Sequence, residues 1–345
     1  MPGVQLSRLD TSSSQNVERL AELLRAHLPL PLPLLGMFYS GDLDGGYLSV
    51  WTTFDITTSS SIPDLFSVIT FSPLAVDKYR FFCSAESNDG PATREEEMHV
   101  VSVINALYKA LKVPGPLVEG IEIETVFLRL DGRTNILGIG HLHSKWTSCL
   151  EPFESFGYRT TIFHCPPQSS PVSPLPWNVC ADDRFEVDEL RESDIPFVNE
   201  RCPYKRSHLS MLTRLPYSAC LKLKGTPTPI SWVLLYPDGS FGMLHVEPQH
   251  RKTGVARLVG LALCKKLEQM FQPVDEDKVG KYPWSRWEFA DVVEGNEKGT
   301  FLMKSFETVG WREGWTTSTS YLNLEEGMEV VKIPWSEAVK TLWSF

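Results

Sequence analysis

The sequence predicts a mixed α/β (α+β) protein with two domains. The chain has 345 residues, which is more than one ordinary domain needs, and segments with helical and with alternating apolar periodicity follow one another in both halves. A run rich in proline and serine, Pro166 to Trp177, separates the halves. Because proline fixes φ and removes an amide donor, this run forms neither helix nor central strand. We therefore predict domains at 1–165 and 181–345 joined by a linker at 166–180, with a long surface loop inside one domain as the alternative.

The first half alternates between apolar runs and helical patterns. The acidic residues Glu95 to Glu97 open one of its helices, where they suit the helix dipole. The periodicity predicts helices over 17–27, 94–111 and about 145–156, and strands over 34–40, 66–72, 79–84, 121–130, 136–141 and 159–165.

The second half has a more regular order, β-α-α-β-β-β-α-β-α-β. The Pro237-Asp238-Gly239 turn has the chemistry of a hairpin between two of its strands. The pattern predicts strands over 185–190, 219–224, 230–237, 241–248, 287–293 and 316–325, and helices over 192–200, 207–215, 254–270 and 297–308.

Composition argues against several classes of partner. The formal net charge is −10 and no basic stripe is present, which disfavours nucleic acid and anionic membranes as partners. The seven cysteines are scattered without a CxxC pair, as expected for reduced thiols. We find no apolar leader, no segment long enough for a membrane span and no metal-ligand spacing. The expectation is a cytoplasmic protein without a metal, and the sequence gives no signal for its oligomeric state.

The most informative stretch is Leu244 to Ala256, where a strand ends and a short loop opens a helix. Free backbone N–H groups at a helix start, together with the helix dipole, form an anion site. Gly254 lets a phosphate approach the backbone, and Arg251 and Lys252 add positive charge. The loop therefore suits a pyrophosphate; an ordinary helix start with incidental basic residues is the alternative.

The segment VEPQHRKTGVARLV, residues 246–259, resembles the acyl-CoA signature of the GNAT superfamily, and the order of elements resembles the GNAT fold. The stretch of about 201–311 is similar to the glycine N-acyltransferase-like branch with its FR47-like C-terminal domain. The part ending near 67–73 resembles that branch's N-terminal domain more faintly. The resemblance implies an acyl-CoA-dependent N-acyltransferase, in which an amine, such as the amino acid glycine, attacks the thioester directly in a ternary complex.

The resemblance also implies which residues hold the acyl-CoA. The strand backbone around Leu244 and Val246 would bind the pantetheine, Asn296 matches a family asparagine that helps to hold it, and an N–H near Leu244 would polarise the thioester carbonyl. The residues expected at the pyrophosphate are Arg251, Lys252, Thr253, Gly254, Val255 and Ala256.

The expected acid and base are replaced. Ser240 stands where many relatives carry a glutamate and is no base at neutral pH. Phe306 stands in place of a tyrosine acid, although a thiolate with a pKa of about 8.5 leaves unprotonated. His245 is the best titratable candidate for the base, but strand alternation puts it on the face opposite Ser240 unless a β-bulge intervenes. Glu247 and Asp238 are weaker options; a packing role for His245 and a water chain also stay open.

Acceptor recognition is expected at Arg206 and His208, since an arginine pairs bidentately with a carboxylate; a solvated surface arginine is the alternative. We predict a small-molecule amine or amino acid as acceptor. Two other functions stay open: a non-catalytic acyl-CoA-binding module, and a protein lysine or N-terminal acetyltransferase. The residues at 136–141 and 153–159 also suggest that the first domain is a degenerate copy of the GNAT fold.

Overall fold

The computed structural model describes most of the chain. Of the predicted linker at 166–180 only Pro166 is among the described residues, and the predicted strand residues 121–127 also lie outside them. The described ranges are 4–39, 48–57, 62–72, 79–112, 128–130, 134–166, 182–202, 205–270, 287–325, 330 and 332–333.

The chain divides into two compact units. The first comprises Met1–Thr161 and Trp315–Ser344, and the second comprises Ile162–Gly314 and Phe345. This division differs from the predicted boundaries, since most of the last strand belongs to the first unit. The reason is long-range strand pairing, which composition does not reveal: in the first unit Thr317 pairs with His143.

The first unit has a sheet with helices packed on it. Its helices are α1 (Ser14–Arg25), α2 (Leu32–Tyr39), α3 (Arg94–Lys112) and α4 (Thr147–Leu150). Its strands are β1 (Ser7–Arg8), β2 (Ser49–Thr52), β3 (Ser67–Phe71), β4 (Tyr79–Cys83), β5 (Leu128–Leu130), β6 (Thr134–His143), the first part of β7 (Glu154–Cys165) and most of β13 (Arg312–Asn323). The strand order is β1-β2-β3-β4-β6-β13-β7, with β5 on β6.

Two predicted elements of the first unit were wrong. The run 34–40 is part of the helix α2, not a strand. Pro31 and Pro33 lie at the start of that helix, where a missing N–H costs little, and an apolar run without alternation does not distinguish a strand from a buried helix. The helix predicted over about 145–156 is shorter, because α4 is flanked by tight turns and β7 begins at Glu154.

The order of elements predicted for the second half is confirmed, although its last strand, β13, lies mostly in the first unit. The helices of the second unit are α5 (Ile195–Arg201), α6 (His208–Leu212), α7 (Val255–Met270) and α8 (Glu297–Ser305). Its strands are β8 (Phe185–Asp188), β9 (Ser218–Leu223), β10 (Pro229–Leu235), β11 (Phe241–Val246) and β12 (Glu288–Val293), with the end of β7 beside β12.

The second unit has three layers. Four antiparallel strands lie in the order β11-β10-β9-β8. Helix α7 packs on one face through Val255, Val259 and Leu263, a helical spacing that gives one apolar stripe. Helices α5 and α6 pack on the other face through Val198 and Met211. The mixed α/β class is therefore confirmed, and none of the helices in the described ranges is long and apolar enough to cross a membrane.

Helix α7 approaches the end of α8 closely at Gly260. A Cβ at this position would lie 2.6 Å from Cζ of Phe306, whose side chain is buried. We expect Gly260→Ala to lower the free energy of unfolding by about 1–3 kcal/mol, because the extra carbon overpacks this contact. Urea unfolding measures the change. The double variant with Phe306→Leu should recover part of the loss, and strictly additive effects of the two changes would contradict the contact.

Candidate functional site

A β-bulge interrupts β11. Leu234 pairs with Gly242 and Trp232 pairs with His245, so two residues of β11 lie opposite one residue of β10. One of the two, Met243, has a φ of 51°. This is the geometry of a bulge, which adds one residue to a strand and changes the direction of the side chains that follow.

The bulge decides which face His245 occupies. Gly242 and Met243 both lie on the face of Tyr236, towards α5 and α6, whereas Leu244 lies on the α7 face. The next side chain, His245, returns to the α5 and α6 face and stacks on Trp232 with ring centroids 4.5 Å apart and planes 16° apart. Since residues two apart share a face, His245 lies on the same face as Gly242 and Ser240. Simple alternation does not hold here, and the reason is the β-bulge that the sequence analysis left open.

Arg206 and Tyr236 lie on this same face. A Cβ on Gly242 would come within 2.3 Å of the Tyr236 ring, so the ring lies directly on the strand backbone. Nη2 of Arg206 donates to the Tyr236 hydroxyl at 3.2 Å, and burial raises the pKa of that hydroxyl. His208, in contrast, lies at the surface, where its Nε2 is 3.1 Å from Oε1 of Glu192. The structure thus separates the two predicted acceptor residues.

The imidazole of His245 is close to a paired carboxylate. Its Nε2 lies 3.7 Å from Oε1 of Glu247, and the same oxygen accepts a hydrogen bond from Nε of Arg201. Among the described residues, the buried Nε2 has no hydrogen-bond partner. Burial lowers the pKa of His245, Glu247 raises it, and Arg251 and Arg201 lower it further. A net lowering keeps the imidazole neutral at neutral pH and able to accept a proton.

Ser240 and Phe306 both have structural roles. The buried hydroxyl of Ser240 donates to Oδ1 of Asp238 at 2.7 Å, and its backbone N–H donates to the same oxygen at 3.0 Å. This pair completes the predicted hairpin turn. Phe306 is buried against Trp311, with ring centroids 5.9 Å apart. Its ring is part of the core and supplies no proton.

One edge of β11 is open. Among the described residues, β11 is linked to β12 by the single parallel bridge between Ser240 and Phe289, and it has no ladder to β12 beyond that point. An edge strand presents unpaired N–H and C=O groups to whatever lies beside it. Nε of Arg251 donates to the Val246 carbonyl at 3.0 Å. The predicted pantetheine residues Leu244 and Val246 therefore follow the bulge on an edge of β11 that has no strand partner beyond this bridge among the described residues. Of their backbone groups, the Val246 carbonyl is already bonded to Arg251.

The loop after β11 ends in an exposed helix start. The carbonyl of Gly254 accepts the first helical hydrogen bond, from the N–H of Leu258 at 3.1 Å, so Gly254 is the N-cap of α7. Gly254 has a φ of 84° and Lys252 a φ of 64°. Nothing lies within 4 Å of an ideal Cβ on Gly254, so space does not restrict this position. Glycine is favoured here because the backbone is left-handed. The Thr253 hydroxyl donates to the His250 carbonyl at 2.6 Å.

The charges around this helix start favour an anion. The first turn of α7, which begins with Val255 and Ala256, contains no acidic residue, and the exposed Arg251 and Lys252 precede it. The first N–H groups of a helix have no intrahelical partner, and the dipole adds partial positive charge. These features fit a phosphate or pyrophosphate.

Asn296 has a role that the sequence analysis missed. It is the N-cap of α8, and its Oδ1 accepts from the N–H of Gly299 at 3.0 Å. An asparagine directly before Glu297 and a helical pattern is itself an N-cap signal. Since the oxygen is engaged, the side-chain Nδ2 is the group with which Asn296 could hold a ligand.

The sequence analysis also missed the residues that surround His245. Trp232 was not predictable by counting back along the hairpin, because that register places it opposite Leu244 and the bulge brings His245 opposite it instead. Arg201 was not predictable either, because it reaches Glu247 from 46 residues away in the sequence.

One comparison with a protein of known structure supports the fold. A Drosophila melanogaster protein of known structure is 15% identical and covers 93% of this chain and 98% of its own, with a TM-score of 0.56. A tandem GNAT protein from the clavulanic acid biosynthesis pathway is 13% identical and covers 94% and 99%, with a TM-score of 0.48. A GNAT-family acetyltransferase from Colwellia psychrerythraea is 8% identical and covers 92% and 100%, with a TM-score of 0.40. No protein-family model and no curated protein sequence matches the chain. At 15% identity, the similarity to the Drosophila protein concerns the fold alone.

The cap of α8 gives a testable stability effect. We expect Asn296→Ala to lower the free energy of unfolding by about 1 kcal/mol, because the N–H of Gly299 loses its acceptor. Asn296→Ser keeps a capping oxygen and should stay within a few tenths of a kcal/mol of the wild type. Equal losses in the two variants, measured by urea unfolding, would contradict the capping role.

Proposed function

We propose that the second unit is an acyl-CoA-dependent N-acyltransferase of the GNAT type. The observation that carries this proposal is the position of two features next to each other. The bulged edge of β11, which has no strand ladder to β12 among the described residues, leads directly into the start of α7, which Arg251 and Lys252 precede. The two features have complementary uses. A free strand edge binds an extended amide-containing arm through backbone hydrogen bonds, and a helix start binds the pyrophosphate that follows such an arm in coenzyme A.

The residues present fit the acyl-CoA. Backbone groups of Leu244 and Val246 are proposed to pair with the pantetheine. Arg251, Lys252 and the N–H groups from Thr253 to Ala256 are proposed to surround the pyrophosphate. The amide nitrogen of Asn296 is proposed as one further donor to the arm, since its oxygen is used by α8.

The proposed reaction is a direct attack. The acceptor amine forms a bond to the thioester carbonyl carbon while the C–S bond breaks, and His245 takes the proton that the amine nitrogen loses. The N–H of Leu244 would stabilise the charge that develops on the carbonyl oxygen. The thiolate leaves unprotonated, because its pKa is about 8.5 by analogy with cysteine, so a buried Phe306 in place of an acid is compatible with turnover.

The acceptor would lie on the α5 and α6 face of β11. His245 and Arg206 both lie on that face, and an arginine held on a tyrosine is a suitable partner for a carboxylate. This supports a small amine with a carboxylate, that is, an amino acid such as glycine, in agreement with the branch that the sequence resembles. A cytosolic location and the lack of nucleic-acid partners stay predictions from the sequence.

We also propose that the first unit is a degenerate copy of the same fold. Its elements follow the order β1-α1-α2-β2-β3-β4-α3-β6-α4-β7 when the short β5 is left aside, the same order as the elements from β8 to β13 along the chain. By this order β4 corresponds to β11 and α3 corresponds to α7.

The chemistry of the two corresponding sites differs. β4 pairs with β3 without a register shift, so it has no bulge. Thr93 and Glu96 cap the start of α3 reciprocally, with Thr93 N–H to Glu96 at 2.8 Å and Glu96 N–H to Thr93 at 3.3 Å. Three acidic residues occupy that first turn. These charges repel a pyrophosphate, and the cap uses the donors that would bind it.

Side chains also close the gap after β4. Nε1 of Trp146 donates to buried Glu86 at 2.9 Å, and Nζ of Lys145 donates to the Ala85 carbonyl at 2.7 Å. Trp146 and Lys145 follow β6, whereas Ala85 and Glu86 follow β4, so these bonds join the two strand ends. Among the described residues, β11 and β12 are joined by the single bridge between Ser240 and Phe289, before these strands end. We therefore propose one acyl-CoA site in each chain.

The function is tested by amine-dependent thiol release. Acetyl-CoA, benzoyl-CoA and longer acyl-CoAs would be run against amino acids, simple amines and basic peptides, with thiol detected by DTNB. We expect turnover with amino acids and its loss in Gly254→Trp, because the side chain blocks the loop and the left-handed backbone disfavours it. Gly225→Trp is the matched control, since Gly225 also has a positive φ, of 80°, and open space around it.

The outcomes separate the alternatives. Loss of activity in both tryptophan variants would indicate misfolding instead of a blocked site. Coenzyme A binding without thiol release, across the whole panel, would contradict the transferase and indicate a binding module. Turnover restricted to basic peptides would indicate a protein acetyltransferase.

The number of sites is a separate prediction. Titration calorimetry with coenzyme A should give a stoichiometry of one per chain, and Gly254→Trp should remove all of the binding heat. A second site that survives in this variant would show that the first unit also binds the cofactor.

A further inference from the structure

His245 and four neighbouring side chains form a closed ring of contacts. Trp232 stacks on His245 at 4.5 Å, and Phe197 meets Trp232 edge to face, with ring centroids 5.7 Å apart. The guanidinium of Arg201 lies 3.5 Å from the centre of the Phe197 ring. Arg201 donates to Glu247, and Glu247 lies 3.7 Å from His245. Each member is therefore held by two neighbours.

Contacts at the C-terminal end of α5 hold the side chain of Arg201 in place. It is the last residue of α5, where a positive charge suits the helix dipole. Its Nη1 bonds to Glu200 at 3.0 Å and to the Phe197 carbonyl at 3.4 Å. This leaves Nε directed at Glu247, and the aromatic contact holds the plane of the guanidinium.

Arg201 and His245 compete for one oxygen. Both approach Oε1 of Glu247, but only Arg201 makes a hydrogen bond to it, and Nε2 of His245 stays beyond bonding distance at 3.7 Å. Among the described residues, no other side chain bonds to the Glu247 carboxylate, so the loss of Arg201 would leave it able to approach the imidazole. A carboxylate bonded to Nε2 favours the protonated ring and occupies the nitrogen that a base needs.

We infer that Arg201 is a positioning residue: by holding Glu247, it keeps Nε2 of His245 free to accept the proton of the acceptor amine. This inference rests on the proposed function, because it assigns a task to the base of that reaction. The charged groups around the imidazole are Glu247 at the end of β11, Arg201 on α5 and Arg251 before α7. Trp232 on β10 packs on the ring without charge.

The test reads the histidine directly. Two-dimensional NMR of the chain with ¹⁵N-labelled histidine gives the pKa of His245 in the wild type, Arg201→Gln, Arg201→Lys and Glu247→Gln, with His245→Gln used to assign the signal. We expect Arg201→Gln to raise the pKa, because a neighbouring cation is removed and the carboxylate is released. Glu247→Gln should lower it. Arg201→Lys should keep it closer to the wild type than Arg201→Gln does.

The same variants are compared by the pH dependence of thiol release. A base acts in its neutral form, so activity falls as the pH drops through its pKa. A raised pKa therefore moves this fall to higher pH in Arg201→Gln, and activity at pH 6 should drop by a larger factor than activity at pH 8. Glu247→Gln should move the fall to lower pH.

The two proposals fail in different ways. An unchanged pKa of His245 in Arg201→Gln, with a loss of activity that is equal at every pH, would overturn the positioning role. The same applies if the pKa changes in Arg201→Gln and Glu247→Gln have the same sign. An absence of turnover in the wild type would overturn the proposed function, while the NMR titration would still decide whether Arg201 controls the imidazole.

Discussion

The bulge in β11 is the constraint on which the site depends. One extra residue, at a φ of 51° for Met243, moves Leu244 to the α7 face and returns His245 to the α5 and α6 face. Without it, the titratable ring would lie on the other side of the sheet. Tyr236 lies on Gly242 immediately before the bulge, and Trp232 lies under His245 immediately after it. Aromatic packing on both sides thus holds a backbone conformation that is otherwise unfavourable.

The two units show how one order of elements supports different chemistry. In the second unit the helix after the fourth strand begins with glycine and follows basic residues. In the first unit the corresponding helix begins with a capping box and three acidic residues. Both sequences are suitable for starting a helix. Only the start of α7 leaves backbone N–H donors and positive potential for an anion. The two helix starts differ in a few residues at a helix end.

Much of the second unit was predictable from local signals. The hairpin turn at Pro237 to Gly239, the amphipathic stripe of α7 and the loop at Arg251 to Gly254 each follow from residues close together in sequence. The bulge was foreseen only as an exception suggested by family resemblance, because alternation alone does not reveal it. Arg201 was invisible, since its partner is distant in sequence. In the first unit, α2 was misread because a fully buried apolar run has no periodicity to distinguish helix from strand.

Hydrogen exchange tests the central claim most directly, namely that acyl-CoA lies along the edge of β11 and the start of α7. Exchange of backbone amides would be followed by mass spectrometry with and without coenzyme A. The account predicts slower exchange in peptides that cover 241–257, because the edge and helix-start N–H groups gain acceptors, and no change in peptides that cover 94–100. Protection at 94–100, or none at 241–257 at saturating coenzyme A, would contradict it.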